Sequence, residues 1–327
     1  MNCNTFRLQV EADFCRLRKG HLRRPKMRIL LSLCAILSFA VAEPAAQEVK
    51  KLRPVDRVAN GGMATTTTDK IVGGEPASAG EYPFQVALIS ALAPEGQEQR
   101  GQFCGASLIG NGWVLTAAHC VPDTKPEEID VYAGSTVLPT GSGAAGGQLG
   151  IRRNVEKVIS HQNYNPDTSD NDIALLKLGE PLPDTLKPAS VPDSPAAMPS
   201  TGTDVDVIGW GLATEGGSTT PNLMKVKVAI QDNALCQTNY DDFTDTMPGA
   251  GRVTITQNMF CAGRPEGGAD SCQGDSGGFI GVKPDGQGWV QLGVVSFGIG
   301  CARPSLFGVY TRVANYTQWI AEVQRNF

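Results

Sequence analysis

From residue 71 onward the apolar residues of this chain come in short bursts separated by turn formers. Phe84–Ser90, Ala106–Ile109, Trp113–Thr116, Ile129–Ala133, Asp204–Ile208, Lys225–Ile230, Trp289–Ser296 and Gly308–Val313 are too short for ordinary helices, and many alternate or carry β-branched residues. Such side chains pack well on a pleated sheet and crowd the preceding turn of a helix. Gly, Pro, Asn and Asp fill the intervals, supplying the backbone freedom, fixed φ and local hydrogen bonds that turns need. Many short strands so spaced predict an all-β barrel or sandwich. Only the end has a helical pattern: Val313, Tyr316, Ile320 and Val323 recur near a period of 3.6, predicting a terminal helix over Val313–Asn326.

Six cysteines lie in this strand-rich body: Cys104, Cys120, Cys236, Cys261, Cys272 and Cys301. An even set suggests three disulfides and an oxidising compartment, with the pairing left open. A metal site is not expected. No Cys-x-x-Cys pair occurs, and adjacent His119 and Cys120 are awkward for binding one ion.

Charge divides the chain. Residues 1–70 carry 13 Lys/Arg against 6 Asp/Glu, whereas residues 71–327 carry 15 against 27. The acidic body argues against nucleic acid as a partner. In the basic leader, Arg28 precedes the apolar run Ile29–Val41, and Ala40-Val41-Ala42 follows. Positive flank, short apolar centre and A-x-A ending match a secretory signal peptide cut after Ala42, not a membrane anchor. Met27 stands where such a peptide would start, so 1–26 is an upstream extension or the start belongs at Met27. Residues 43–70 show no periodicity and read as a flexible propeptide ending at Lys70, an accessible cut site before Ile71.

One motif misleads. Gly141–Gly146 fits GxGxxG, but Pro139 before it and Gly147 and Gly150 after it leave no strand-to-helix context, so no dinucleotide is expected.

Gly267–Gly278, reading GGADSCQGDSGG, sets Ser276 among glycines. A serine hydroxyl becomes a nucleophile only with a base to take its proton and donors to hold the resulting oxyanion. The body offers two histidines. His119 ends an apolar strand beside Cys120, while His161 reads as a solvated residue in a polar loop. For a carboxylate to orient the imidazole, Asp172 directly precedes the apolar Ile173–Leu176, and Asp170 is the more exposed competitor.

IVGG at 71–74, TAAHC at 116–120, DIALL at 172–176, GDSGG at 274–278 and VSFG at 295–298 resemble, in order and spacing, the trypsin-like serine proteases of the chymotrypsin fold. That resemblance covers 71–327 and implies two six-stranded antiparallel β-barrels with the active site between them and a C-terminal helix. It implies Ser276 as nucleophile, His119 as general acid and base, Asp172 as its orienting carboxylate, and the N–H groups of Gly274 and Ser276 as oxyanion hole. Asp270, with Ser296, Gly298 and Gly308, would form a pocket for Arg or Lys. Cleavage after Lys70 would free the Ile71 amine to pair with Asp275 and switch on a zymogen. The disulfides would be Cys104–Cys120, Cys236–Cys261 and Cys272–Cys301.

The same resemblance implies no cofactor, protein or peptide substrates, protein inhibitors as further partners, and a secreted monomer without membrane anchor. A non-catalytic homologue would lack part of the triad, and a chymotrypsin-like specificity is disfavoured by Asp270. Phe279 and Phe297 depart from the family, standing where proline and tryptophan are commoner.

Overall fold

The structure, a computed structural model, describes residues 53–59, 73–110, 112–141, 150–212, 220–247, 251–272 and 274–327. The signal-peptide segment, Lys70, Ile71 and all but the first residue of the GxGxxG stretch lie outside the described residues.

A six-residue helix, α1 (Pro54–Ala59), precedes the short strand β1 (Glu75–Pro76). The first barrel then uses β2 (Gln85–Ser90), β3 (Gln102–Gly110), β4 (Trp113–Thr116), β5 (Ile129–Ala133), β6 (Ile151–Ser160) and β7 (Ala174–Leu178). It closes in the order β2-β3-β4-β7-β6-β5, every pair antiparallel. A one-turn helix, α2 (Glu98–Gly101), leads into β3.

The second barrel follows with β8 (Asp204–Gly209), β9 (Met224–Gln231), β10 (Met259–Gly263), β11 (Phe279–Val282), β12 (Val290–Phe297) and β13 (Gly308–Arg312). Its order is β9-β10-β13-β12-β11-β8, and pairing of β8 with β9 closes the ring, with β1 added on the outside of β9. The expected all-β fold of two closed six-stranded antiparallel barrels is therefore what forms. Closure removes the free edges that would otherwise invite another chain to pair.

Inward side chains fill each barrel. Val86, Leu88, Leu115 and Ile129 are fully buried in the first, and Val207, Phe260, Ile280 and Tyr310 in the second. Between the barrels lies an aromatic seam. Phe84 meets Phe279 with ring centroids 4.5 Å apart, and Tyr82 meets Trp289 at 4.7 Å. Such pairs contribute about 0.5–1.5 kcal/mol beyond simple burial. The unusual Phe279 thus has a partner waiting in Phe84.

The strand reading missed elements for identifiable reasons. β6 carries Arg152, Arg153, Asn154, Glu156 and Lys157 on a half-exposed sheet, so no apolar run marks it. Nor is the end the only helix. α3 (Asn233–Asp245) buries just Cys236, Tyr240 and Thr244, four residues apart, so its one inward row is too polar to read as amphipathic. Its start is set by Asp232, whose side chain accepts the Leu235 N–H at 2.9 Å. The terminal helix also begins later than the pattern suggests: Val313–Asn315 forms a 3-10 turn, and α4 runs Thr317–Asn326.

Candidate active site

His119 sits in a 3-10 turn (Ala118–Cys120) just past the end of β4, and the Cys104–Cys120 disulfide ties that turn to β3. Asp172 lies just before β7. It follows Asn171, whose φ of 57° is a left-handed conformation that asparagine tolerates better than most residues. The two meet twice. Asp172 Oδ1 accepts the His119 backbone N–H at 2.8 Å, and Oδ2 lies 2.7 Å from ring Nδ1. An ionised carboxylate can only accept, so Nδ1 carries the proton and Nε2 is the ring's acceptor nitrogen.

The second barrel completes the grip on Asp172. Ser296 Oγ on β12 donates to Oδ2 at 2.5 Å, and Thr311 Oγ1 on β13 donates to the Asp172 carbonyl at 2.7 Å. Burial works to raise the pKa of this fully enclosed carboxyl. The charge interaction with His119, and hydrogen bonds from its ring, from Ser296 and from its backbone, outweigh burial and hold Asp172 below the ordinary value.

The rival residues are elsewhere. Asp170 accepts from Thr256 Oγ1 at 2.7 Å and Asn258 Nδ2 at 3.1 Å, and is half-buried. His161 is not the solvated residue its loop suggests. Its ring packs on Tyr316 and Trp319, with centroids 5.2 and 5.1 Å away, and burial lowers its pKa despite the pull of Asp170.

The segment around Ser276 is a tight loop braced from both barrels. Gly274 and Gly277 have φ of 97° and 78°, which a side chain would strain. The Ser276 carbonyl accepts the Gly105 N–H from β3 at 2.8 Å, and Gly277 N–H donates to Val295 O at 2.8 Å. A Cβ on Gly277 would come within 2.2 Å of Thr116 Oγ1 and 3.1 Å of Cys120 Sγ, so this loop presses directly on the segment bearing His119. Neighbouring Asp275, Gly277 and Gly278 donate their N–H groups to carbonyls. Among the described residues, those of Gly274 and Ser276 donate to none. Gln102 Nε2 reaches from β3 to the Gly274 carbonyl at 2.9 Å. Sequence reasoning missed that clamp, because an amide within a strand carries no distinguishing signal.

Beside Ser276 opens a cavity of about 190 Å³, lined among others by Ser296, Gly298 and Gly308, with Asp270 in its wall. Asp270 is 4% exposed. It accepts the Ser271 and Ala302 N–H groups at 2.8 and 3.2 Å, with Tyr310 OH at 3.5 Å. Burial raises its pKa and these neutral donors recover only part, leaving it at about 6. Glycines keep the space open. A Cβ on Gly308 would approach Asp270 Oδ1 to 2.7 Å, and one on Gly298 would stand 4.0 Å from Gly308 Cα. The Cys272–Cys301 bridge ties two lining segments together, and Cys236–Cys261 fastens α3 to β10. All three bridges match the pairing that the resemblance implied.

Asp275 is not among the residues that line this cavity. Its carboxylate accepts the Gly211 N–H at 2.8 Å and the Cys272 N–H at 2.9 Å. A Cβ on Gly209 or Gly211 would strike it. Burial is the main cause that pushes Asp275 up to about 7. Cys104, His119 and Cys120 also cluster, but both sulfurs are used in the disulfide and supply no thiolate for a metal.

Twin closed barrels with an imidazole–carboxylate pair at their seam and a glycine-braced serine loop beside it define a chymotrypsin-fold serine protease. Residues 71–320 match the trypsin family model, and the chain belongs to that family. It is 38% identical to the trypsin of Sus scrofa over 79% of this chain and 97% of that protein. It is 36% identical to Trypsin Tyr p 3.0101 of Tyrophagus putrescentiae over 90% of each. With Trypsin-1 of Astacus astacus the identity is 37%, covering 76% of this chain and 98% of the relative. Among the described residues, no helix is long and apolar enough to cross a membrane.

Proposed function

We propose that this protease is a secreted zymogen, with residues 1–42 as extension and signal peptide, 43–70 as propeptide and 71–327 as catalytic domain. Once cut between Lys70 and Ile71, it hydrolyses peptide bonds after Arg or Lys. The observation that carries this reading is Asp270: a buried carboxylate held by neutral donors in a narrow cavity beside Ser276. A guanidinium or ammonium entering the cavity would supply the missing charge, whereas an apolar side chain would leave the carboxylate unpaired.

On this reading the reaction runs as acyl transfer in two halves. Ser276 Oγ attacks the substrate carbonyl carbon as His119 Nε2 takes its proton, and Asp172 stabilises the imidazolium without accepting that proton. The carbonyl oxygen becomes an oxyanion facing the N–H groups of Gly274 and Ser276. Collapse breaks the C–N bond, His119 protonates the leaving amine, and an acyl-enzyme remains. Water, deprotonated by His119, attacks in turn; the acid is released and Ser276 regains its proton.

Activation uses Asp275. In the uncut chain its raised pKa reflects burial without a cation among the described residues. The Ile71 ammonium freed by cleavage would remove that penalty and lock the neighbouring oxyanion loop. The other partners are protein protease inhibitors, and the active form is a monomer. Cleavage-site profiling of the cut enzyme on a peptide library tests the specificity: products ending in Arg or Lys support it, and a preference for Phe or Leu refutes it. Fluorophosphonate labelling of Ser276 separates an enzyme from a binding-only homologue.

A further inference from the structure

The helix α1 lies before the proposed cut, yet it is seated on the first barrel. Val55 is 3% exposed and joins that barrel's apolar core, with α1 resting on β2, β3 and α2. Arg53, just ahead of the helix, divides its guanidinium between the body and α1 itself. Nη2 and Nη1 donate to Glu128 Oε1 and Oε2 at 2.8 and 2.9 Å, and Nη1 also donates to the Asp123 carbonyl at 2.8 Å. Nε and Nη2 donate to Asp56 at 2.8 and 2.9 Å.

The receiving side has bonds of its own. Glu128 closes the 3-10 turn Pro126–Glu128 by accepting the Lys125 N–H at 2.7 Å, a bond within the body that orients its carboxylate. Asp123, whose carbonyl takes the third bond, has a left-handed φ of 50°. Bidentate pairing with a pre-oriented carboxylate is selective for a planar guanidinium. Hydrogen bonds from Arg53, then the Lys125 N–H, hold Glu128 below the ordinary carboxylate pKa.

We propose that the notch formed by Glu128, the Asp123 carbonyl and the apolar edge of the first barrel is a binding site for residues 53–59 of the chain's own leader. It is filled while the leader is attached and vacated once the bond after Lys70 is cut. The second half of this statement rests on the activation reading given above. The physical reason is concentration. A tethered segment meets its site at an effective concentration on the order of mM, which one buried valine and one half-exposed ion pair can exploit. A free peptide offering only those contacts pays its full translational and ordering cost and binds weakly. The interaction therefore depends on the covalent link.

Hydrogen exchange on the full chain carrying Ser276→Ala, which prevents self-digestion, tests both halves. In the uncut protein the amides of residues 55–59 should exchange at least about tenfold more slowly than in a free peptide of residues 50–62. Arg53→Ala and Glu128→Gln should each remove most of that protection while leaving the exchange of β2 and β4 unchanged. Absent protection, or protection that both variants retain, overturns the site. Cutting after Lys70 with a lysine-specific protease should then abolish the protection and release the leader on size exclusion. A leader that stays protected and co-elutes with the body overturns the tether dependence. Resistance of the Lys70 bond to that protease would count against the activation reading, and the uncut measurements would still decide the site.

Discussion

Ser296, on the second barrel, reaches across the seam and donates its hydroxyl to Asp172 Oδ2 at 2.5 Å. Hydrogen bonds to a charged group contribute roughly 1.5–3 kcal/mol. Ser296→Ala should therefore lower kcat/KM by about tenfold to a hundredfold without unfolding the protein. The acid limb of the pH profile should move upward, because Asp172, less stabilised, pairs more strongly with protonated His119. Steady-state kinetics across pH checks this; an unchanged limb would show that the bond is only structural.

Asp172 decides which ring nitrogen of His119 carries the proton. Asp172→Asn would present an amide N–H or a weaker acceptor to Nδ1 and favour the wrong tautomer. For this family's triad the corresponding change is known to cut kcat about 10⁴-fold, and the same loss is expected here. Active-site titration against turnover gives the measurement, and a near-wild-type rate would sink the assignment.

The Asp270 carboxyl, at about 6, should make cation binding depend on pH. Below that value the pocket holds a neutral acid, so the affinity of a small amidinium inhibitor should fall about tenfold per pH unit, with one proton released per inhibitor bound. Calorimetry in buffers of different ionisation heat counts that proton. Asp270→Asn should abolish both the proton release and most of the affinity.

Asp275 should make the uncut chain less stable as pH rises. Its folded pKa of about 7 lies above the usual value of 3.8. Between those limits the folded state binds more protons than the unfolded state. The favourable contribution is thus complete below the unfolded value and lost as pH climbs through the folded one. The difference is on the order of 4 kcal/mol. Urea midpoints of the Ser276→Ala precursor at pH 5 and pH 8 should show the decline, and Asp275→Asn should flatten it.

Gly308 borders the Asp270 carboxylate so closely that a methyl group has nowhere to go: its Cβ would sit 2.7 Å from Asp270 Oδ1 and 2.8 Å from Tyr310 OH. Gly308→Ala should raise KM for Arg and Lys substrates by tenfold or more, with a smaller effect on fluorophosphonate labelling of Ser276. Equal losses in both assays would point to a collapsed loop instead.

The barrels were legible where a strand is a run of large apolar side chains, as in β4 and β5, whose bounds the sequence pattern matches. They were not legible where half the face is wet, as in β6, or where small residues dominate, as in β10. For the site, the glycine-rich loop and the histidine beside a cysteine stood out because their chemistry demands unusual neighbours. By pattern, Asp172 differs from Asp170 only in directly preceding the apolar Ile173–Leu176, since both are acids in one turn. What separates them is three-dimensional: Asp170 faces Thr256 and Asn258, while Asp172 faces the imidazole and Ser296. Gln102 and Thr311 had no signal, because each acts through a single bond to a carbonyl distant in sequence.

The hydrogen bond from Gly105 to the Ser276 carbonyl has a bearing on the life of the chain before it is complete. The strand that receives the loop is made some 170 residues before the loop itself, and neither has its counterpart until the last third of the polypeptide has emerged. A nascent or half-folded molecule consequently lacks the brace on its serine loop, on structural grounds alone. Proteolytic activity arrives only at the final act of assembly.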